Sequence, residues 1–192
     1  MKRKSYDRLS RRQLGLVTSS QLARLGWTHH AVLHLASRDL LIPVRRQVWR
    51  TAGTAPSKEM MLLAAALAAG EGALLSHGTA AQVWGFTKIP APGWIHILVD
   101  SWSQPRLAGV KGHRTKWLPD AHRGRVGRLP VTSSERTVID CCGLVLPDQL
   151  KATVSNGLRR KILTLPRLAG PRTRCLRPDV ARSSRWWSSS AR

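Results

Sequence analysis

His30 and His34 stand four residues apart, a spacing that puts two imidazoles on one face of a helix and can hold zinc. His29 adds a third ring. No carboxylate falls between His29 and Ser37 to complete a site, and Arg38 repels a cation, so these histidines read as polar surface. Cys141-Cys142 sit in an apolar stretch with no adjacent Lys, Arg or His to make a thiolate, and they read as buried core. Cys175 brings the count to three, which cannot build a disulfide framework, and Cys-x-x-Cys spacing is missing. Ser76-His77 looks like a hydrolase fragment, but no Gly-x-Ser-x-Gly surrounds Ser76, which reads as a helix N-cap. Arg136 and Asp140, spaced i,i+4, read as an ion pair on a helix. The glycines form neither a phosphate-binding loop nor a placed Gly-x-Gly-x-x-Gly, which leaves nucleotide binding without support. These residues imply no catalytic set, no metal site and no cofactor, and the chain reads as a non-enzyme.

What the side chains do offer is positive charge. The 192 residues carry 32 Lys+Arg against 10 Asp+Glu, a net charge of +22, which favours a polyanion partner, nucleic acid first. The charge is uneven: +9 over residues 1–50, −1 over 51–100, +4 over 101–150 and +10 over 151–192. Arg supplies 24 of the 32 cations and suits bidentate contacts to phosphate and guanine. An Arg-rich genome gives the same excess, and eight Trp beside one Phe and one Tyr point to that bias. Hydrophobic residues, 42% of the chain, can support a real core. The longest apolar run, Met60 to Gly70, is far short of the ~20 residues of a membrane span. Met1-Lys2-Arg3-Lys4 is basic but leads into no apolar segment, so the expected location is cytoplasmic, with free thiols.

The elements that would position these cations can be placed from caps and breakers. Residues 5–14 read as a helix stopped by Gly15. Thr18 or Ser19 caps a second helix that Gly26 ends, and Thr28 caps a third over residues 29–37. Two short helices around a Gly-containing turn make a helix-turn-helix. At 100° per residue, Ala31, Val32, Leu35 and Ala36 share one arc of the third helix and should be buried. His30, Leu33, His34 and Ser37 fall opposite, with Arg38 at the end, on the face a recognition helix presents to the major groove. Residues 40–51 read as a hairpin around Arg45-Arg46-Gln47, a wing whose Arg45, Arg46 and Arg50 would reach phosphates or the minor groove.

Residues 52–57 form the expected boundary. Beyond it, helices are expected over 58–69, 77–84, 134–143 and 147–161, and strands over 94–99, 110–117 and 128–131. The expected class is α+β. A winged helix-turn-helix spans 1–53, a mixed α/β domain spans 57–168, and a disordered basic tail covers 169–192. The Arg, Ser and Pro bias of that tail has two open explanations, an arm that binds nucleic acid without specificity and an out-of-frame end.

Several stretches carry a family resemblance. They are Val17-Thr18-x-x-Gln21-Leu22 with Leu25-Gly26, then Val48-Trp49-Arg50, then Leu75-Ser76-His77-x-x-Ala80-Ala81-x-Val83-Trp84-Gly85. Gly112-His113-Arg114, Leu129-Pro130-Val131-Thr132-Ser133 and Arg136-Thr137-x-x-Asp140 follow. In this order the chain resembles the AbiEi-like antitoxin family as found in actinobacterial proteins, over about residues 10–165. The resemblance implies a winged helix-turn-helix, a mixed α/β domain and the antitoxin role of a type IV toxin–antitoxin system. Longer members continue into a very-short-patch-repair-endonuclease-like domain that has no counterpart here. The family usually has Gly in the wing turn where this chain has Gln47, and a non-Gly residue disfavours φ > 0, so a different turn is expected.

The expected function is therefore a DNA-binding regulator that represses its own promoter. Double-stranded DNA is its partner, and the resemblance adds a cognate toxin as a second. His30, His34 and Ser37 would contact bases, and Leu33 a thymine methyl. Arg45, Arg46 and Arg50, with Arg11, Arg12 and Arg24, would hold the backbone; Thr28 and Arg38 flank the recognition helix. Neutralising about 6 phosphates gives a salt slope near −5. The alternative is a truncated, inactive remnant of an endonuclease-like protein. A third reading, compatible with the first, makes residues 57–168 a toxin-binding module.

Overall fold

Thr18 and Thr28 shape the N-terminal third through their hydroxyls. In the computed structural model, which describes residues 2–100 and 107–169, α1 (Lys2–Arg12) leads through Gly15 into β1 (Leu16–Thr18). Gly15 has φ 80°, and a Cβ there would lie 2.5 Å from Thr54 Oγ1, so the position admits only glycine. Thr18 accepts from the backbone of Gln21, whose side chain returns to the Thr18 N–H, a complete capping box for α2 (Ser19–Arg24). The Gln13 and Gln21 side-chain amides donate to each other at 3.0 and 2.8 Å and tie the end of α1 to α2. Thr28 caps α3 (His29–Ser37) through the Ala31 N–H at 3.2 Å.

The hairpin β2 (Leu41–Arg45) and β3 (Val48–Thr51) follows, and β3 lies between β1 and β2 in an antiparallel sheet. Val17, Leu22, Val32 and Leu41 close the small core beneath, with Tyr6, Trp27, Leu35 and Trp49 packed around it. Helix, strand, two helices and hairpin form a winged helix-turn-helix. The strand β1, too short to show alternation, was not expected. The wing turn keeps a positive φ, 58° at Gln47, despite the missing glycine. The Gln47 carbonyl accepts from the Ser19 N–H at 3.0 Å, which holds the turn against that local preference.

Ser57 caps α4 (Lys58–Ala69), as its sequence implies, with its Oγ accepting from the Met60 N–H. The helix is apolar on nearly every side and lies between two sheets. Met60, Leu63, Ala64 and Ala66 share one core with Leu16 and Val48 of the wing sheet and with Leu75, Ile97 and Val131 beyond. The boundary at residues 52–57 is thus a crossing in the chain, while the packing continues across it.

The second sheet has the order β6-β5-β4-β8-β7. Its strands are β4 (Leu74–Leu75), β5 (Ile95–Asp100), β6 (Val110–Thr115), β7 (Arg123–Val126) and β8 (Leu129–Thr132), and a 3₁₀ turn at Asp120–His122 precedes β7. β5 runs parallel to β6 and β4 parallel to β8, whereas β4–β5 and β7–β8 are antiparallel. The remaining helices are α5 (His77–Trp84), α6 (Ser134–Cys141), α7 (Pro147–Arg159) and α8 (Leu165–Ala169). Ala81, Phe86, Val138, Cys141 and Leu163 pack where α5 and α6 meet. The class is α+β. From residue 170 on, the expected tail lies outside the described residues, as does Cys175. No helix among the described residues is long and apolar enough to cross a membrane.

Candidate nucleic-acid interface and a buried histidine cluster

The polarity of α3 follows its sequence angle by angle. Val32 is buried and Ala31, Leu35 and Ala36 are half-buried, while His30, Leu33, His34, Ser37 and Arg38 are exposed. Leu33 keeps 45% of its surface in solvent. Two of the expected DNA-contacting residues are engaged within the helix: Thr28 caps it, and Ser37 Oγ donates to the His34 carbonyl at 2.9 Å.

The arginines divide into free and committed. Arg11, Arg12, Arg38 and Arg46 are exposed. Arg24 pairs with Glu71 at 3.1 Å, Arg45 donates to the Ala108 carbonyl at 2.9 Å, and Arg50 donates to the Thr54 carbonyl. The wing tip accordingly lies against the second domain: Arg46 and Gln47 share a cleft with Arg24, Leu67 and Glu71. Arg45 and Arg50 are the half-buried wing arginines, and Arg46 is the exposed one. On the other side, Arg11 and Arg12 line a groove with Lys4, Arg8, Arg125 and Arg128. The last two belong to the β7–β8 hairpin, where a Gly-flanked Arg-rich stretch hid the strand from sequence reading.

A second constellation was not foreseen. His77 opens α5, His96 lies on β5 and His113 on β6, and one ring nitrogen from each falls within 4.8 Å of the others. The register explains two of them: β5 and β6 are parallel with His96 opposite Lys111 and Leu98 opposite His113, so His96 and His113 lie diagonally on one face. Their Nδ1 and Nε2 atoms are 3.1 Å apart. His77 enters from above with φ 48°, and its ring stacks on His113 with centroids 3.7 Å apart and 18° between planes. Ser76 was expected to cap α5, yet its side chain makes no capping bond. It is fully buried and its Oγ lies 3.0 Å from His77 Nδ1.

Burial disfavours the charged imidazolium throughout. His77 is lowered to about 2, first by burial, then by His113 and His96, with Arg136 and Lys111 adding to the effect. His113 is lowered to about 4 by burial, His96 and Lys111, and His96 is lowered by burial and Lys111. The cluster is three neutral rings at pH 7. Sequence reading missed it because 36 residues and three elements separate His77 from His113. Its only sequence trace was the presence of Ser76-His77 and Gly112-His113-Arg114 among the resemblance motifs.

Arg136 and Asp140 form the expected i,i+4 pair at 2.7 Å, with side chains only 4% and 8% exposed. Arg136 also lies 3.4 Å from His122 Nδ1. Cys141 is fully buried, and burial together with nearby Asp140 pushes its thiol up to about 12, which rules it out as a ready nucleophile.

No protein-family model matches this chain, and no curated protein does. Among solved structures it is similar to the RV2827C protein from Mycobacterium tuberculosis, with a TM-score of 0.50 and 19% identity. That match covers 85% of this chain and 68% of the other. At this identity the likeness is one of fold.

Proposed function

We propose that this protein is a DNA-binding regulator that represses its own promoter, acting in the cytoplasm as the antitoxin of a type IV toxin–antitoxin system. One observation carries the reading: α3 of a winged helix-turn-helix turns His30, Leu33, His34, Ser37 and Arg38 to solvent. Imidazole and hydroxyl groups can read base edges, and Leu33 can meet a thymine methyl. Arg11, Arg12, Arg38 and Arg46 supply the backbone contacts. The antitoxin role and a cognate toxin as second partner come from the family resemblance.

A mobility-shift titration of the full chain on its own upstream DNA tests this. The full chain is required, because residues 1–55 alone would expose Leu16 and Val48 where α4 now covers them. With these four of the expected arginines at the backbone, the log–log salt slope should be about −3.6, shallower than the −5 that six contacts would give. Absence of binding at low salt refutes the reading.

A further inference from the structure

His77, His96 and His113 have no part in reading DNA. Three neutral imidazoles converge from α5, β5 and β6, and each has one nitrogen that carries no proton. Two nitrogens held by one tetrahedral zinc at ~2.05 Å stand about 3.3 Å apart. His96 Nδ1 and His113 Nε2 lie 3.1 Å apart, sharing one proton in a hydrogen bond that a metal would displace. The third nitrogen, from the His77 ring stacked on His113, lies within 4.8 Å of these two. The buried Ser76 Oγ lies 3.0 Å from His77 Nδ1 and can accept its N–H, the tautomer that leaves Nε2 bare and the kind of outer bond that orients metal-ligating histidines. His77 has a left-handed backbone, an uncommon state for a non-glycine residue.

We propose that His77, His96 and His113 form a three-imidazole site for a first-row divalent transition metal, zinc above all. An all-nitrogen set selects zinc, cobalt, nickel or copper and rejects magnesium and calcium, which take oxygen ligands. Three protein ligands leave the fourth position open. Lys111 and Arg136, close enough to act on the rings, favour an anion there. They also weaken the site relative to one with a carboxylate ligand, although Asp140 offsets the charge of Arg136. This site is separate from the DNA-reading face and does not depend on it.

The test is cobalt(II) titration of the full chain, produced without a histidine tag and stripped with a chelator. One equivalent should raise the visible absorption of four-coordinate cobalt, and zinc should remove it. His30→Ala with His34→Ala should leave the spectrum unchanged, whereas His113→Ala should abolish it. Since His113→Ala can fail by unfolding, His113→Cys supplies a positive signal: a thiolate-to-cobalt charge-transfer band appears only when residue 113 is a ligand. No cobalt absorption in the native chain, loss of it on removing His30 and His34, or a His113→Cys spectrum without the new band each overturns the proposal.

Discussion

Acidification from about pH 7.5 to about pH 5 should destabilise the metal-free protein by about 3 kcal/mol through His77 and His113 alone. Both are held neutral by the fold, at about 2 and about 4, against an ordinary 6.5. The folded values lie below the unfolded ones, so below pH 6.5 the unfolded chain takes up protons that the folded chain refuses. The stability is fully present above pH 6.5 and drains as pH falls, until each ring is protonated within the fold. From pH 6.5 to pH 5 each ring costs about 2 kcal/mol at ~1.36 kcal/mol per unit, about 4 for the two. Both rings keep some contact with water, which screens the effect and brings the sum to about 3 kcal/mol. The groups facing them, His96 on β5, Lys111 on β6 and Arg136 on α6, all push in the same direction. Urea unfolding in chelator, followed by circular dichroism, measures the change. A His77→Gln, His113→Gln double variant measures the background from the other titrating groups, to be subtracted. The reasoning fails if the native chain keeps its unfolding free energy to within about 1 kcal/mol, or if the double variant keeps the full dependence.

Three further outcomes follow from packing and charge. Asp140→Asn leaves the Arg136 guanidinium, 4% exposed, without its counter-charge and should cost about 3 kcal/mol in chemical denaturation. Gly157→Ala sets a Cβ 2.5 Å from Leu163 Cδ1 and 3.2 Å from the Phe86 ring. The overpacking should outweigh the gain of about 1 kcal/mol in helix propensity, for a net loss of about 1 kcal/mol on the same measurement. In mobility shifts, Arg46→Ala should weaken binding to every sequence alike, whereas Leu33→Ala should change the preference between sequences; a uniform loss from both would remove α3 from the groove.

Local chemistry was the readable part of this sequence. Thr18, Thr28 and Ser57 capped their helices as their side chains dictate, because an N-cap is settled within three residues. The burial of Val32 against the exposure of Leu33 followed from the 3.6-residue period. Arg136 met Asp140 for the same reason. What escaped lay between distant segments. The withdrawal of Arg45 depends on Ala108, 63 residues away, and the histidine cluster depends on the β5–β6 register. Neither leaves a periodic trace. β7 was hidden because an edge strand can keep its arginines in water and so need not alternate.

The position of α4 also bears on how the molecule responds as a whole. Since the helix is common to the cores of both sheets, neither half can open without uncovering Met60 and Leu63, and the two should melt in one transition. Anything that binds the folded second sheet therefore stabilises α3 as well, by RT ln(1 + L/Kd) at free ligand concentration L, without any change in the shape of that helix. A metal held at His77, His96 and His113 would in this way set how much of the protein keeps α3 folded at a given temperature.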